Sequence, residues 1–269
     1  MLPSHWDKYL RRRSLRRYLD EVRLWKLLKW CALVLLAVLL VGTAVYWFSI
    51  PGKALNNYND AKRLYETGKY SNALYAANEA LRDRGLRLKV YQLRANIYRA
   101  LQQPRNAVAD ITRVIGFQPD VLENYSFRAQ AYMELEDPAS AARDYTKIIA
   151  MNGSADAYND RGVCYLKLND LHNAMADFEK AIQVDPRAEF HFQLGMAQSA
   201  AGNPKQAIAN FDRALELQPP SSMAAVYSHL ARAAEKQKLG DAAGSAEDRE
   251  KAFAAERVNS LGGATQANK

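Results

Sequence analysis

Small, aromatic and polar positions recur along this chain with a helical period, and the whole pattern returns every 33 or 34 residues. Its clearest copy carries Tyr158, Gly162, Tyr165, Ala174, Phe178, Ala181 and Pro186. The preceding copy carries Tyr125, Ala129, Tyr132, Ala141, Tyr145 and Ile148, with Gly153 in place of the proline. One step earlier stand Tyr91, Ala95, Tyr98, Ala107, Ile111, Val114 and Pro119. In each copy the first three positions fall on one helical face and the next three on another, which predicts two helices per unit. Neither helix can bury its stripe alone, so units must stack on one another.

Proline placement tests the repeat independently. Pro104, Pro138 and Pro204 fall where the second helix should begin, a position where the missing N–H costs nothing and the fixed φ suits a helix. Asp137 and Asn203, each just before one of these prolines, are expected N-caps. Pro119, Pro186 and Pro219 fall at the turn between units. A charge pairing recurs as well: Arg94, Arg128 and Arg161 are each followed sixteen residues on by Asp110, Asp144 and Asp177. The repetition argues for ion pairs that join the two helices of a unit. As exposed pairs they would contribute about 0.2–1 kcal/mol each.

A second pattern stands before the repeats. Residues 31–50 are twenty residues without a charge, enough helix at about 1.5 Å per residue to span the hydrocarbon core. Trp25, Trp30, Tyr46 and Trp47 lie at its ends, as interfacial aromatics do, and Pro51 and Gly52 close it. The long segment before it and the continuation of the apolar run through Val45–Phe48 favour an uncleaved signal anchor over a signal peptide.

Charge fixes its direction. The formal net charge is +8, of which residues 1–51 hold +6 and the remaining 218 only +2. The repeats therefore lack the clustered basic field that a nucleic acid would need. The basic excess on the N-terminal side predicts a cytoplasmic N-terminus and repeats on the far side. Residues 1–30 can also form a partly amphipathic helix, with Leu15, Tyr18, Leu19, Val22 and Trp25 on one face, suited to anionic lipid. Cys31 and Cys164 cannot build a disulfide framework. His5, His172, His191 and His229 form no metal spacing, and no phosphate loop or nucleophile motif is present. The expectation is a chain that is not an enzyme, with no catalytic residue, no metal and no cofactor.

The repeated residues resemble the tetratricopeptide repeat family, over roughly residues 54–257. Units begin near Ala54, Leu88, Leu122, Ala155 and Ala188, giving 54–87, 88–121, 122–154, 155–187 and 188–221, with a weak capping unit over 226–257 and a disordered tail over 258–269. The first unit keeps its turn, residues 66–74; the fifth keeps Gly195, Gly202, Ala207, Phe211, Ala214 and Pro219. The resemblance implies an all-α fold, a right-handed solenoid of five to six helix-turn-helix units, which the apolar run places behind one N-terminal transmembrane helix. It also implies a concave groove, lined by the first helices, that takes a peptide or helix of a partner protein. Carried over by position, that lining is Tyr58 and Lys62; Lys89, Gln92 and Asn96; Ser126, Gln130 and Met133; Asp156, Asn159 and Leu166; then Phe192 and Met196. Leu93 and Phe127 stand where a carboxylate clamp would want polar groups, so capture of a C-terminal carboxylate is not expected.

Anchor, basic side and array together lead to a bacterial inner-membrane scaffold with a periplasmic array, a member of an envelope complex such as a secretion or pilus machine. Two other readings fit the same features: an organelle-surface receptor or co-chaperone with a cytosolic array, and a regulatory subunit of a membrane-bound synthase.

Overall fold

The structure is a computed structural model that describes residues 29–30, 32–43 and 52–266. The expected tail helix lies outside the described residues but for Lys29 and Trp30, as do Cys31 and residues 44–50 of the apolar run. Residues 32–43 are helical, with every side chain exposed, Leu39 at 65% among them. No helix among the described residues is long and apolar enough to cross a membrane.

The chain divides into two compact units, one through Val90 and one from Tyr91 onward. The first contains α1, residues 52–66, and α2, Tyr70–Ala80, followed by a short 3-10 turn, Arg84–Leu86. Its core is made of small side chains: Ala54, Ala61, Ala73, Ala77 and Ala80 are all at most 2% exposed. Helices faced with alanine approach closely, and the Tyr65 and Tyr70 rings meet at 5.7 Å across the turn that joins them.

The second unit opens within α3, Arg87–Ala100, and continues through α4, Pro104–Phe117; α5, Leu122–Glu134; α6, Pro138–Asn152; α7, Ala155–Lys167; and α8, Leu171–Val184. Then follow α9, Ala188–Ala200; α10, Pro204–Glu216; α11, Met223–Lys238; and α12, Ala242–Gln266. Each helix from α4 packs on the next, and α7 also touches α9, as α9 touches α11. Among the described residues every regular element is a helix. The weak sixth unit is thus a full helix pair. It starts three residues earlier than expected, because Ser222 caps α11 by accepting from the Ala225 N–H at 3.1 Å. Its second helix runs on to Gln266, into the stretch expected to be a tail.

The small positions work as the sequence suggests. Gly162 faces Phe178, and a Cβ on that glycine would lie 2.7 Å from the Phe178 ring; at Gly195 the distance to Phe211 would be 2.6 Å. Phe178, Phe190 and Phe211 are fully buried. Phe178 packs with Ala174, Leu194 and Ala197, so one ring joins two units.

The turn within each unit has a chemistry that the repeat pattern does not show. Residues 68, 102, 136, 169, 202 and 240 all take a left-handed backbone, with φ between 56° and 81°. Three are glycine; Gln102, Glu136 and Asn169 adopt it against the usual side-chain penalty. The following N–H closes the turn on the first helix, as Asp137 N does on Tyr132 O at 2.9 Å.

Pro104, Pro138 and Pro204 each occupy the first position of α4, α6 and α10. Asp137 caps α6, accepting from the Ser140 N–H at 3.0 Å. Asn203 departs from expectation: it holds the N-cap place of α10 without a side-chain bond, giving only its carbonyl to Ala207 N. Asp170 was not foreseen as a cap, yet it accepts from the Asn173 N–H at 3.3 Å. Asp137→Ala is expected to cost about 1 kcal/mol in urea unfolding, while Asn203→Ala costs less, since no cap bond is lost. Equal costs would contradict this reading.

Candidate functional site

Arginines pin the second unit together. Arg94 donates to Asp110 through Nε and Nη2 at 2.5 and 2.7 Å, Arg128 to Asp144 at 2.8 and 2.6 Å, and Arg161 to Asp177 at 2.8 Å through both. These are two-pronged, charge-assisted bonds. The expectation that they are exposed is corrected: the aspartate side chains are 1–8% exposed and the arginines 13–18%. Flanking tyrosines wrap each guanidinium, with Tyr158 and Tyr165 both 5.8 Å from that of Arg161. That shelter removes the pairs from water and makes each far more sensitive to loss of one partner. The hydrogen bond to Asp144, outweighing burial, holds Arg128 above its ordinary range.

The same arginines also reach the preceding unit. Arg128 Nη1 donates to Thr112 and Arg161 Nη1 to Thr146, both at 3.1 Å. In the fifth unit Leu194 and Asn210 take the places of the pair, and Asn210 instead meets His191 and Gln198 at 3.1 and 2.9 Å. The pair returns in the sixth unit as Arg232 and Asp248, a sixteen-residue spacing visible in the sequence but not singled out there. Lys236 and His229 also face Asp248, at 2.9 and 3.3 Å, and Arg232 donates as well to Asp212 of the fifth unit.

With the frame held this way, the first helices present the remaining positions. Gln130, Asp156 and Met196 are exposed, as are Lys62 and Lys89 in the unit through Val90; Tyr58 of that unit and Gln92, Asn96, Ser126 and Phe192 are partly covered. Several expected groove residues are engaged within the array. Asn159 is only 5% exposed. Met133 takes the Cys164 S–H at 3.5 Å, Leu166 joins the Phe178 cluster, and Phe192 packs on Phe211 at 5.8 Å. A straight carry-over misses this because a first-helix residue also meets the second helix of its own unit, as Phe192 does, or the first helix of the next, as Met133 does.

Between α5, α6 and α7 lies a depression of about 250 Å³. Glu123, Ser126, Tyr145, Asn152, Asp156 and Asp160 supply its polar wall, with Leu122 and Ile148 beneath. Burial, with the charges of Asp156 and Glu189 adding to it, pushes the Asp160 carboxyl above its usual range, against hydrogen bonds from Asn159 and Tyr145. Burial and the Asp160 charge likewise push the Cys164 thiol up to about 12, so it stays protonated. Asp160 and Tyr145 were not picked out as site residues, because neither stands at a repeated groove position. Among the described residues no group of three or more His, Cys, Asp or Glu could hold a metal ion.

Models of the tetratricopeptide repeat match residues 88–121, 155–187 and 188–221. No curated protein matches the chain significantly. Among solved structures, a tetratricopeptide repeat protein from Parabacteroides merdae is similar with a TM-score of 0.64 and 19% identity, over 76% of this chain and 80% of that one. MamA from Desulfovibrio magneticus is similar with a TM-score of 0.58 and 18% identity, over 64% and 96%. PilW, described as a widely conserved type IV pilus biogenesis factor, is similar with a TM-score of 0.54 and 18% identity, over 72% and 90%. At these identities the likeness is one of fold. Residues 88–121, 155–187 and 188–221 match tetratricopeptide repeats, and the described chain carries the all-helical fold seen in proteins built from them.

Proposed function

We propose that this chain is a non-enzymatic scaffold that binds partner proteins along the first-helix face of its array. In this reading residues 31–50 anchor it in a bacterial inner membrane, with the N-terminus cytoplasmic and the array periplasmic, for assembly of an envelope complex such as a secretion or pilus system. The observation that carries the binding role is the division of labour within each unit. Arginine–aspartate pairs, small residues and buried rings hold the frame, while Lys89, Gln130, Asp156 and Met196 are left in solvent on one helix of each pair. PilW, which has a similar fold, is described as a pilus biogenesis factor, which supports the envelope reading. The twenty uncharged residues and the basic excess before them support the anchor and its direction.

The topology is tested by fusing to the C-terminus a reporter enzyme active only in the periplasm. The fusion is expected to be active in intact cells; one that is expressed but silent overturns the placement. Binding is tested by purifying the full chain in mild detergent, where a defined partner is expected to co-elute and to be lost when residues 54–257 are deleted.

A further inference from the structure

The depression between α5, α6 and α7 has a chemical asymmetry that the frame does not use. The aspartates buried elsewhere in the array, Asp110, Asp144, Asp177 and Asp248, each face a guanidinium. Asp160 does not: it is half-buried, and among the described residues it enters no ion pair. It accepts from Asn159 Nδ2 at 3.4 Å, and the Tyr145 hydroxyl also bonds to it. Asn159 is itself 5% exposed, and its Oδ1 is buried without a hydrogen bond beside the carboxylate. Glu123 and Asp156 line the same depression, and no lysine, arginine or histidine does. Arg187, which pairs with Asp156 of this lining, is committed to Asp156 and Asp185. A half-buried carboxylate with no cation facing it is unfavourable in the free protein. What Asp160 lacks is a positively charged donor.

Resting on the scaffold reading above, we propose that this depression takes the side chain of a lysine or arginine from a bound partner segment, with Asp160 as the counter-ion. Its volume of about 250 Å³ suits one long side chain rather than a folded surface. The butyl or propyl stem would lie on Leu122 and Ile148, and the charged head would reach Asp160. Glu123, in the first turn of α5, lines the same depression, where it would draw a cation inward.

The test uses the full chain in detergent and an array of random decapeptides with blocked termini. Retained peptides are expected to be enriched in lysine or arginine at one position. Replacing that residue by norleucine should weaken binding about tenfold, as loss of a bond to a charged group implies. Asp160→Asn should abolish the enrichment, while Asp156→Asn should weaken binding less, because Arg187 already neutralises that carboxylate. Asp160→Asn should also raise the melting temperature at pH 7, since it removes an uncompensated charge. With a raised folded pKa, Asp160 costs stability as pH climbs through that pKa, so the gain should shrink toward pH 4. A loss of stability in this variant would instead make Asp160 a frame residue and overturn the inference. Peptides retained without a basic residue, or equally by Asp160→Asn, overturn it alone and leave the scaffold reading standing. An array that retains nothing overturns both.

Discussion

Phe178→Ala is expected to destabilise the array by about 3–5 kcal/mol. The ring is fully buried and packs with Ala174 on its own helix and with Leu194 and Ala197 of the next unit, so its loss opens a cavity at a joint between units. In a linear array the stability is a sum over units and their interfaces, and this residue contributes to both. Urea unfolding followed by circular dichroism should show the midpoint fall. A cost below about 1 kcal/mol would mean that the joint collapses around the gap. The companion substitution sharpens the test. Gly162→Ala places a methyl 2.7 Å from the same ring. Overpacking of about 1–3 kcal/mol should outweigh the gain of about 1 kcal/mol in helix propensity. Adding Phe178→Leu to Gly162→Ala should recover part of the loss. Strictly additive costs would show that glycine and ring are not coupled.

Asp248→Asn is expected to cost about 3 kcal/mol and to release α12 first. The carboxylate is 0% exposed and faces Arg232, Lys236 and His229 at the end of the array. Neutralising it leaves two cations partly buried with too little opposing charge, although Arg232 keeps Asp212, which places the cost at the low end for such pairs. Burial alone would raise this carboxyl; the hydrogen bonds from Arg232 and Lys236 overcome it and bring it to about 2, below its ordinary 3.8. Because the folded value is depressed, the stabilisation is present above the ordinary value and is lost as pH falls from about 3.8 toward 2. Hydrogen exchange should show α12 losing protection before α5–α8, both in the variant and on acidification of the parent. Uniform loss over the array would argue against a local role.

Both predictions rest on residues that the sequence exposes to different degrees. Gly162 with Phe178, and Arg161 with Asp177, recur at fixed spacing, so one period of repetition suffices to pair them. Asp248 keeps the same spacing with Arg232, but the four residues 219–222 shift the sixth unit and hide the register. The left-handed turns at Gln102, Glu136 and Asn169 have no compositional sign, since their conformation is imposed by helices that pack on either side. The candidate site was the least legible. Met133, Asn159, Leu166 and Phe192 stand at groove positions by register, yet Met133 and Leu166 are engaged by the next unit, Phe192 packs on the second helix of its own unit, and Asn159 is buried. Asp160 and Tyr145 come from different helices of successive units and meet only in the fold.

The sequence by itself determined the helix pairs, their order, and which small and large residues must face one another, because a helix stripe that cannot be buried alone dictates its own partner at the repeat distance. It also carries the twenty uncharged residues at 31–50 and the basic excess before them, which owe nothing to packing. Only the tertiary structure decided that the arginine–aspartate pairs are sheltered from water, that some groove positions are consumed by the next unit, and that one half-buried carboxylate is left without a cation. Burial and charge compensation depend on what the adjacent unit brings within a few ångströms, and the repeat period alone does not set that distance.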